Sequence, residues 1–353
     1  MKLNISLFNH ISAPAKMFLL QNLSAMVKAG VSLADALTTL GNQTPNKRMK
    51  VVLLDIAATV RAGKTLGEGL DPYQSDFGEL FINMVKAGES SGRLEEVLHE
   101  LYLQIKKEHT LILKVRNAMT YPAIIILAMF GIGIFIVVFV LPNITSLFTE
   151  LNAELPLATR ILIKVTEITQ AHGPLLALSF LTFLIVMIAI VRSKQGKRLV
   201  HRILLHTPAV GSIIRDINIA RSMRSLSSLI KTDIPIVETF LITSRVIGNT
   251  AYREALEQSA EALKKGEKLG AVMGRYPRLF PPNVLQMVTV GEETGALDDI
   301  LDQVASFYEE QVFETMESLP TIIEPVLMVL IGVAVGGIAV AVLMPMYTLT
   351  EQI

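Results

Sequence analysis

The chain has 353 residues, with 32 basic side chains balanced by 32 acidic ones, and no cysteine. Half of it is apolar (51%) and the mean hydropathy is +0.49, too greasy for an ordinary soluble protein of this length. Balanced charge denies it the one-signed basic face that nucleic acid requires, and the missing cysteines exclude disulfides and thiolate chemistry.

Residues 1–13 form a short, weakly apolar arm without a charged-then-apolar secretory signal, so no cleavage is expected there. Over 14–120 the apolar residues recur at helical spacing: Leu23, Met26 and Val27 share one face, and Leu94, Val97, Leu98, Leu101 and Ile105 another. No stretch alternates with period two over the length of a strand. Breaks at Gly30, Thr44-Pro45, Gly63, Asp71-Pro72 and Gly88 divide this region into about six short helices, which close most economically as an antiparallel bundle.

Pro122 to Leu141 then runs for twenty residues without a formal charge. At about 1.5 Å per residue such a helix crosses a hydrocarbon core of about 30 Å, so 121–141 is a predicted transmembrane helix. In the loop 142–172, Ile144, Leu147, Phe148 and Leu151 keep helical spacing and predict a short amphipathic helix. Residues 173–191 are nineteen without charge and form the second predicted span. A second helical bundle follows over 192–321, a third span over 322–346, and a tail over 347–353. The fold class is therefore all-α: two tandem six-helix bundles, each followed by a transmembrane helix, with three spans in total.

The second half repeats the first at a constant offset of 203. Leu23-Ser24 returns as Leu226-Ser227, Gly63 as Gly266, Phe77 as Phe280, and Met84-Val85 as Met287-Val288. Gly88-Glu89-Ser90-Ser91-Gly92-Arg93-Leu94 returns as Gly291-Glu292-Glu293-Thr294-Gly295-Ala296-Leu297, and Pro122 and Pro142 as Pro325 and Pro345. One gapless offset across soluble and apolar segments means one unit used twice, a pseudo-symmetric body in place of a single catalytic cleft.

Basic residues set the orientation. Lys106, Lys107, Lys114 and Arg116 precede the first span, and Arg192, Lys194, Lys197, Arg198 and Arg202 follow the second. The intervening loop has Arg160 and Lys164 against Glu150, Glu154 and Glu167. The positive-inside rule places both bundles and the N-terminus in the cytoplasm, with the C-terminal tail outside.

Chemical motifs are scarce. Gly63-Lys64-Thr65 looks like the end of a phosphate-binding loop, but the earlier glycine is replaced by Ala58, no strand precedes it, and the second copy reads Gly266-Glu267-Lys268. Helix punctuation explains it better: Gly63 ends one helix, and Thr65 with Glu68 forms a capping box for the next. The six histidines are scattered, no Gly-x-Ser-x-Gly elbow exists, and neither an enzyme, a cofactor nor a metal is expected.

In the Gly-Glu-x-x-Gly-x-Leu block, Gly88 and Gly291 are expected to take the left-handed conformation that closes a helix, with Ser91 and Thr294 capping the next. Glu89 and Glu292 are left over: either they pair with a basic residue in the bundle or they help dock a cytoplasmic partner. Within the spans, Gly131, Gly133, Gly332, Gly336 and Gly337 mark close helix contact inside the chain or across a dimer, internal packing being the simpler reading. Glu324, beside Pro325, either snorkels to the cytoplasmic edge or meets a passing subunit.

The Gly-Glu-x-Ser-Gly-x-Leu block resembles a known signature when followed by Lys114-Val115, Ala118-Met119 and Tyr121-Pro122, a span closed by Leu141-Pro142, and a second copy. The whole of about 14–350 is similar to the type II secretion F family, the inner-membrane platform proteins of type II secretion systems and type IV pili. The resemblance implies a non-enzymatic platform in the bacterial inner membrane. Its implied partners are a hexameric secretion ATPase, pilin or pseudopilin subunits, small bitopic assembly proteins, and a further copy of itself, most simply as a dimer. Glu324-Pro325 departs from the Tyr-Pro of the signature, and the stretch before Pro14 is short for the family, which leans the reading towards a type IV pilus, of the type IVb kind. The rival from another class is a small transporter, for which three spans without a charge at mid-depth make a poor pathway.

Overall fold

The computed structural model describes residues 11–140, 142, 157–207 and 210–350, which are helical throughout apart from short connections. They divide into two compact units, Met1–Leu113 with Arg198–Phe313 and Lys114–Lys197 with Glu314–Ile353. The first is the bundle unit and the second holds the apolar helices.

In the bundle unit the first copy runs α1 (Ala13–Lys28), α2 (Leu33–Gln43), α3 (Lys47–Arg61), α4 (Leu66–Leu70), a 3-10 turn (Asp71–Tyr73), α5 (Gln74–Phe77), α6 (Glu79–Ser90) and the start of α7 (Leu94–Phe135). After α8 (Leu157–Arg192) and α9 (Lys194–His206) come α10 (Val210–Lys231), α11 (Ile236–Val246), α12 (Thr250–Lys264), α13 (Leu269–Met273), α14 (Pro282–Thr294) and α15 (Leu297–Thr350). The helices α11, α12 and α13 reproduce α2, α3 and α4 at both ends at the offset of 203.

Local chemistry fixes those ends. Ser32 accepts from the Asp35 amide, Asn46 from that of Met49 and Asn249 from that of Ala251, each satisfying an amide that the first helical turn leaves bare. The capping box expected at Thr65 and Glu68 is present, with both reciprocal bonds made. Gly63, at φ +84°, turns the chain out of α3, while its amide bonds Val60 and the Lys64 amide bonds Thr59.

Each copy closes over its own core. Leu20, Leu37, Leu53, Ile56, Met84, Leu98 and Leu101 fill the first. Met223, Phe240, Tyr252, Leu256, Phe280, Val288 and Leu301 fill the second, where the buried Tyr252 hydroxyl donates to the Leu279 carbonyl at 2.8 Å. Ile11 is fully buried in the first core, so the chain is already anchored two residues before α1. Helices α6 and α7 of the first copy lie against α10 and α11 of the second, and Leu229 and Ile242 join the first core. Polar contacts mark this seam: Glu79 to Arg245 at 2.7 Å, Arg93 to Asp233 at 2.6 Å, and Ser228 to Glu100 and Gln104 at 2.9 and 3.1 Å. Asp233 sits at φ +61°, where the first copy has Gly30 at +79°. A glycine would adopt that backbone freely, but only a carboxylate there reaches Arg93.

Among the described residues three helices are long and apolar enough to cross a bilayer: Leu94–Val140, Ala171–Arg192 and Leu297–Gly337. The first turns π-helical over Ile136–Val140. Within the stretch 142–172, α8 is already helical from Leu157, and it kinks at His172 (φ −126°) beside Pro174, whose missing amide removes a helical hydrogen bond. The amphipathic helix expected around Ile144–Leu151 lies outside the described residues. Lys114 and Glu317, which are the same position in the two copies, meet at 2.6 Å.

Candidate partner-docking site

The glutamate block builds a corner in each copy. Both Glu89 carboxylate oxygens accept backbone amides at the start of α4, from Leu66 at 2.6 Å and Gly67 at 3.0 Å. Glu292 does the same at the start of α13, accepting from Leu269 at 2.8 Å and Gly270 at 3.1 Å. A helix N-terminus presents bare amides and the positive end of the peptide dipoles, so an anion suits it. The alternative of an Arg or Lys partner is thus corrected: backbone amides hold these carboxylates, and no ion pair reaches either among the described residues.

The glycine assignment also changes. Gly92 (φ +71°) and Gly295 (φ +74°) take the left-handed conformation, while Gly88 and Gly291 stay inside α6 and α14. A Cβ on Gly88 would lie 2.6 Å from Val97 Cγ2, and one on Gly291 would lie 3.0 Å from Ile300 Cβ. The first glycine of the block lets successive helices touch, and the second reverses the chain. Ser91 and Thr294 accordingly turn back onto the Gly88 and Val290 carbonyls of the preceding helices. The crossing above the corner repeats the device, since a Cβ on Gly67 or Gly270 would strike Lys86 or Thr289.

Two clusters had no signature in the sequence. Arg224, buried in α10, is held by Asp302, Ser306 and Glu309 of α15, a buried cation paired with two carboxylates and a hydroxyl. An open cleft of about 710 Å³ on the second copy is lined by Arg198, Arg202, Arg215, Arg275, Arg278 and Tyr276. The first copy has Ser12, Pro72 and Ser75 at the positions of Arg215, Arg275 and Arg278, so that surface became basic only once. Arg198 pairs with Glu254 and Arg275 with Glu267, which spends much of the charge locally.

In the second unit, a Cβ on Gly131, Gly133, Gly332, Gly336 or Gly337 would meet nothing within 4 Å. The reading of these glycines as internal contact points is therefore corrected among the described residues. Gly133 instead lines an apolar cleft of about 430 Å³ with Met129, Phe130, Ile134, Thr169 and Leu330. Glu324 is exposed on α15, with no ion pair among the described residues. No group of three metal-ligating side chains occurs among them either.

A duplicated helical bundle with three apolar helices, whose paired glutamates serve helix geometry, defines a multi-pass membrane scaffold. The family model for the type II secretion system protein F matches it twice, over 19–142 and 222–345, again 203 apart. The chain belongs to this family. It is 36% identical over 328 residues to the type IV pilus assembly protein PilC of Thermus thermophilus, covering 93% of this chain and 80% of that one. It is 32% identical to the type IV pilus assembly protein TapC of Aeromonas hydrophila, over 94% of this chain and 81% of the relative. The type II secretion system protein F of Vibrio cholerae shares 30% identity over 95% and 82%.

Proposed function

We propose that this chain is a non-enzymatic platform in the bacterial inner membrane, which couples a cytoplasmic hexameric secretion ATPase to insertion or extraction of pilin subunits in type IV pilus assembly. Small bitopic membrane proteins complete the assembly, and the platform associates with itself. The bundles face the cytoplasm and the C-terminus the periplasm, a reading that rests on the basic residues flanking the first two spans.

The observation that carries it is a pair of helices. Both α7 and α15 carry helical backbone from a bundle core into an apolar segment, with Pro122 and Pro325 each removing one ladder bond on the way, so load applied to a bundle passes along a continuous helical backbone. Glu89 and Glu292 enter this function through the corners they build at α4 and α13, which set the surface offered to a partner. Gly131, Gly133, Glu324, Gly332, Gly336 and Gly337 are the proposed contacts for pilin or a second platform in the membrane. The same role in a type II secretion system is the second reading, favoured by the family description and the Vibrio cholerae relative.

Affinity purification from native membranes in mild detergent, followed by mass spectrometry, tests both. A secretion ATPase with pilins is expected, and pseudopilins in their place would select the second reading. Repeated recovery of neither, even after cross-linking, would refute the platform.

A further inference from the structure

The two copies share one fold, yet they use different faces at the seam between them. The first copy offers α6 and α7, and the second offers α10 and α11. Among the described residues that leaves the matching faces unused: α1 and α2 on the first copy, α14 and α15 on the second. These two unused faces have the backbone shapes of two surfaces that already fit each other.

Burial shows that they are open. Ser228 is 0% exposed at the seam, whereas its counterpart Ala25 is exposed. Thr232 and Ile242 are buried, while their counterparts Ala29 and Thr39 are exposed. On the other side Gln104 is 5% exposed and its counterpart Phe307 is 50% exposed. Arg221 lies at the seam, 3.9 Å from Glu108, and its counterpart Phe18 is 46% exposed. Among the described residues of the bundle unit, Phe18 and Phe307 are the exposed phenylalanines, and both occupy seam positions.

The chemistry changes in step. The seam pairs Ser228 with Gln104, Arg221 with Glu108, Arg245 with Glu79, and Asp233 with Arg93. At the open faces the corresponding pairs are Ala25 with Phe307, Phe18 with Gln311, Asn42 with Pro282, and Gly30 with Ala296. In these four pairs every charge has gone from both sides at once. A large ring stands opposite an alanine that leaves room for it, which is the complementarity of a packed apolar contact.

We propose that the α1/α2 face of one copy of this chain receives the α14/α15 face of a second copy, head to tail, as α10/α11 receive α6/α7 within the chain. Such a heterologous contact uses different surfaces on each side, so it propagates from chain to chain until the rotation closes a ring. Faces that have lost the charged pairs of the seam suit another copy of the same fold better than a charged partner segment. The proposal does not depend on the pilus reading.

The natural absence of cysteine makes the test clean. A full-length chain carrying Ala25→Cys is co-expressed in native membranes with a differently tagged chain carrying Phe307→Cys, and both are treated with a short bis-maleimide. Ser228→Cys with Gln104→Cys in one chain is the control, expected to close within the chain. A product carrying both tags, with none from either variant alone, is the expected result. Products joining Ala25→Cys to itself would indicate an isologous dimer and overturn the proposal. So would attachment to an unrelated protein, or no mixed product while the control closes. Independently, Phe18→Glu and Phe307→Glu should each lower the light-scattering mass in detergent at least about two-fold while the melting profile stays in place, because a buried unpaired carboxylate opposes the contact. An unchanged mass would count against the contact.

Discussion

Glu89 shows how a residue can be conspicuous in a sequence and still hide its work. Its spacing from Gly88 and Gly92 marked it as special, but its partners are backbone amides twenty-odd residues earlier, which no side-chain pattern encodes. Glu89→Gln turns one acceptor into a donor facing an amide, and should cost about 1.5–3 kcal/mol, the range for hydrogen bonds to a charged group. Thermal unfolding of the purified protein reads this, and Glu292→Gln should do the same in the second copy. Gly88→Ala should cost about 1–3 kcal/mol through overpacking on Val97, with a compensating Val97→Ala restoring part of it. Burial pushes the Asp216 carboxyl above its usual range, against the pull of Arg215. The folded state therefore holds that proton more tightly than the unfolded chain, and stability falls as pH rises from about 3.8 through the raised value. Asp216→Asn should remove this fall, melting higher than the parent at neutral pH and showing no advantage below the lower end of that window.

Among elements, α4 is the instructive case. Five residues are too few for a helix to stand alone, since nucleation is unfavourable and so little is gained after it. It exists because Thr65 and Glu68 close its N-terminus from within while Glu89 closes it from α6. Thr65→Ala should cost about 0.5–2 kcal/mol and raise amide exchange in 65–73 while α3 keeps its protection, as hydrogen-exchange mass spectrometry would show. The capping box and the Gly63 terminus were legible because both ends of the interaction lie within a few residues. The misplaced left-handed glycine was not, since Gly88 and Gly92 offer the same local freedom and only the approach of Val97 distinguishes them. The kink in α8 coincides with the start of the uncharged run at 173, which spacing and charge alone mark only as the beginning of a span.

For the whole molecule, duplication is the governing fact. Lys114 and Glu317 are one position in two copies, and divergence to opposite charge lets them meet in the second unit. Both are largely exposed, so water and salt screen the pair and its contribution is small. Lys114→Glu should lower the melting temperature slightly, and adding Glu317→Lys should recover it. The basic cleft and the Arg224 cluster belong to the second copy alone, and so does the covered face of α10. Two copies that began alike have become specialised, one presenting its α6 and α7 surface and the other its α10 and α11 surface.

The sequence by itself determined the class: helical periodicity, three uncharged runs of membrane length and the 203-residue offset are local or additive signals that survive without coordinates. It also determined the family, whose model falls on the same repeat. Only the tertiary structure decided what the glutamates hold, which glycine turns, and which faces of the two copies meet. Those depend on contacts between residues far apart in the chain, set by packing distances of a few tenths of an ångström that composition and spacing do not carry.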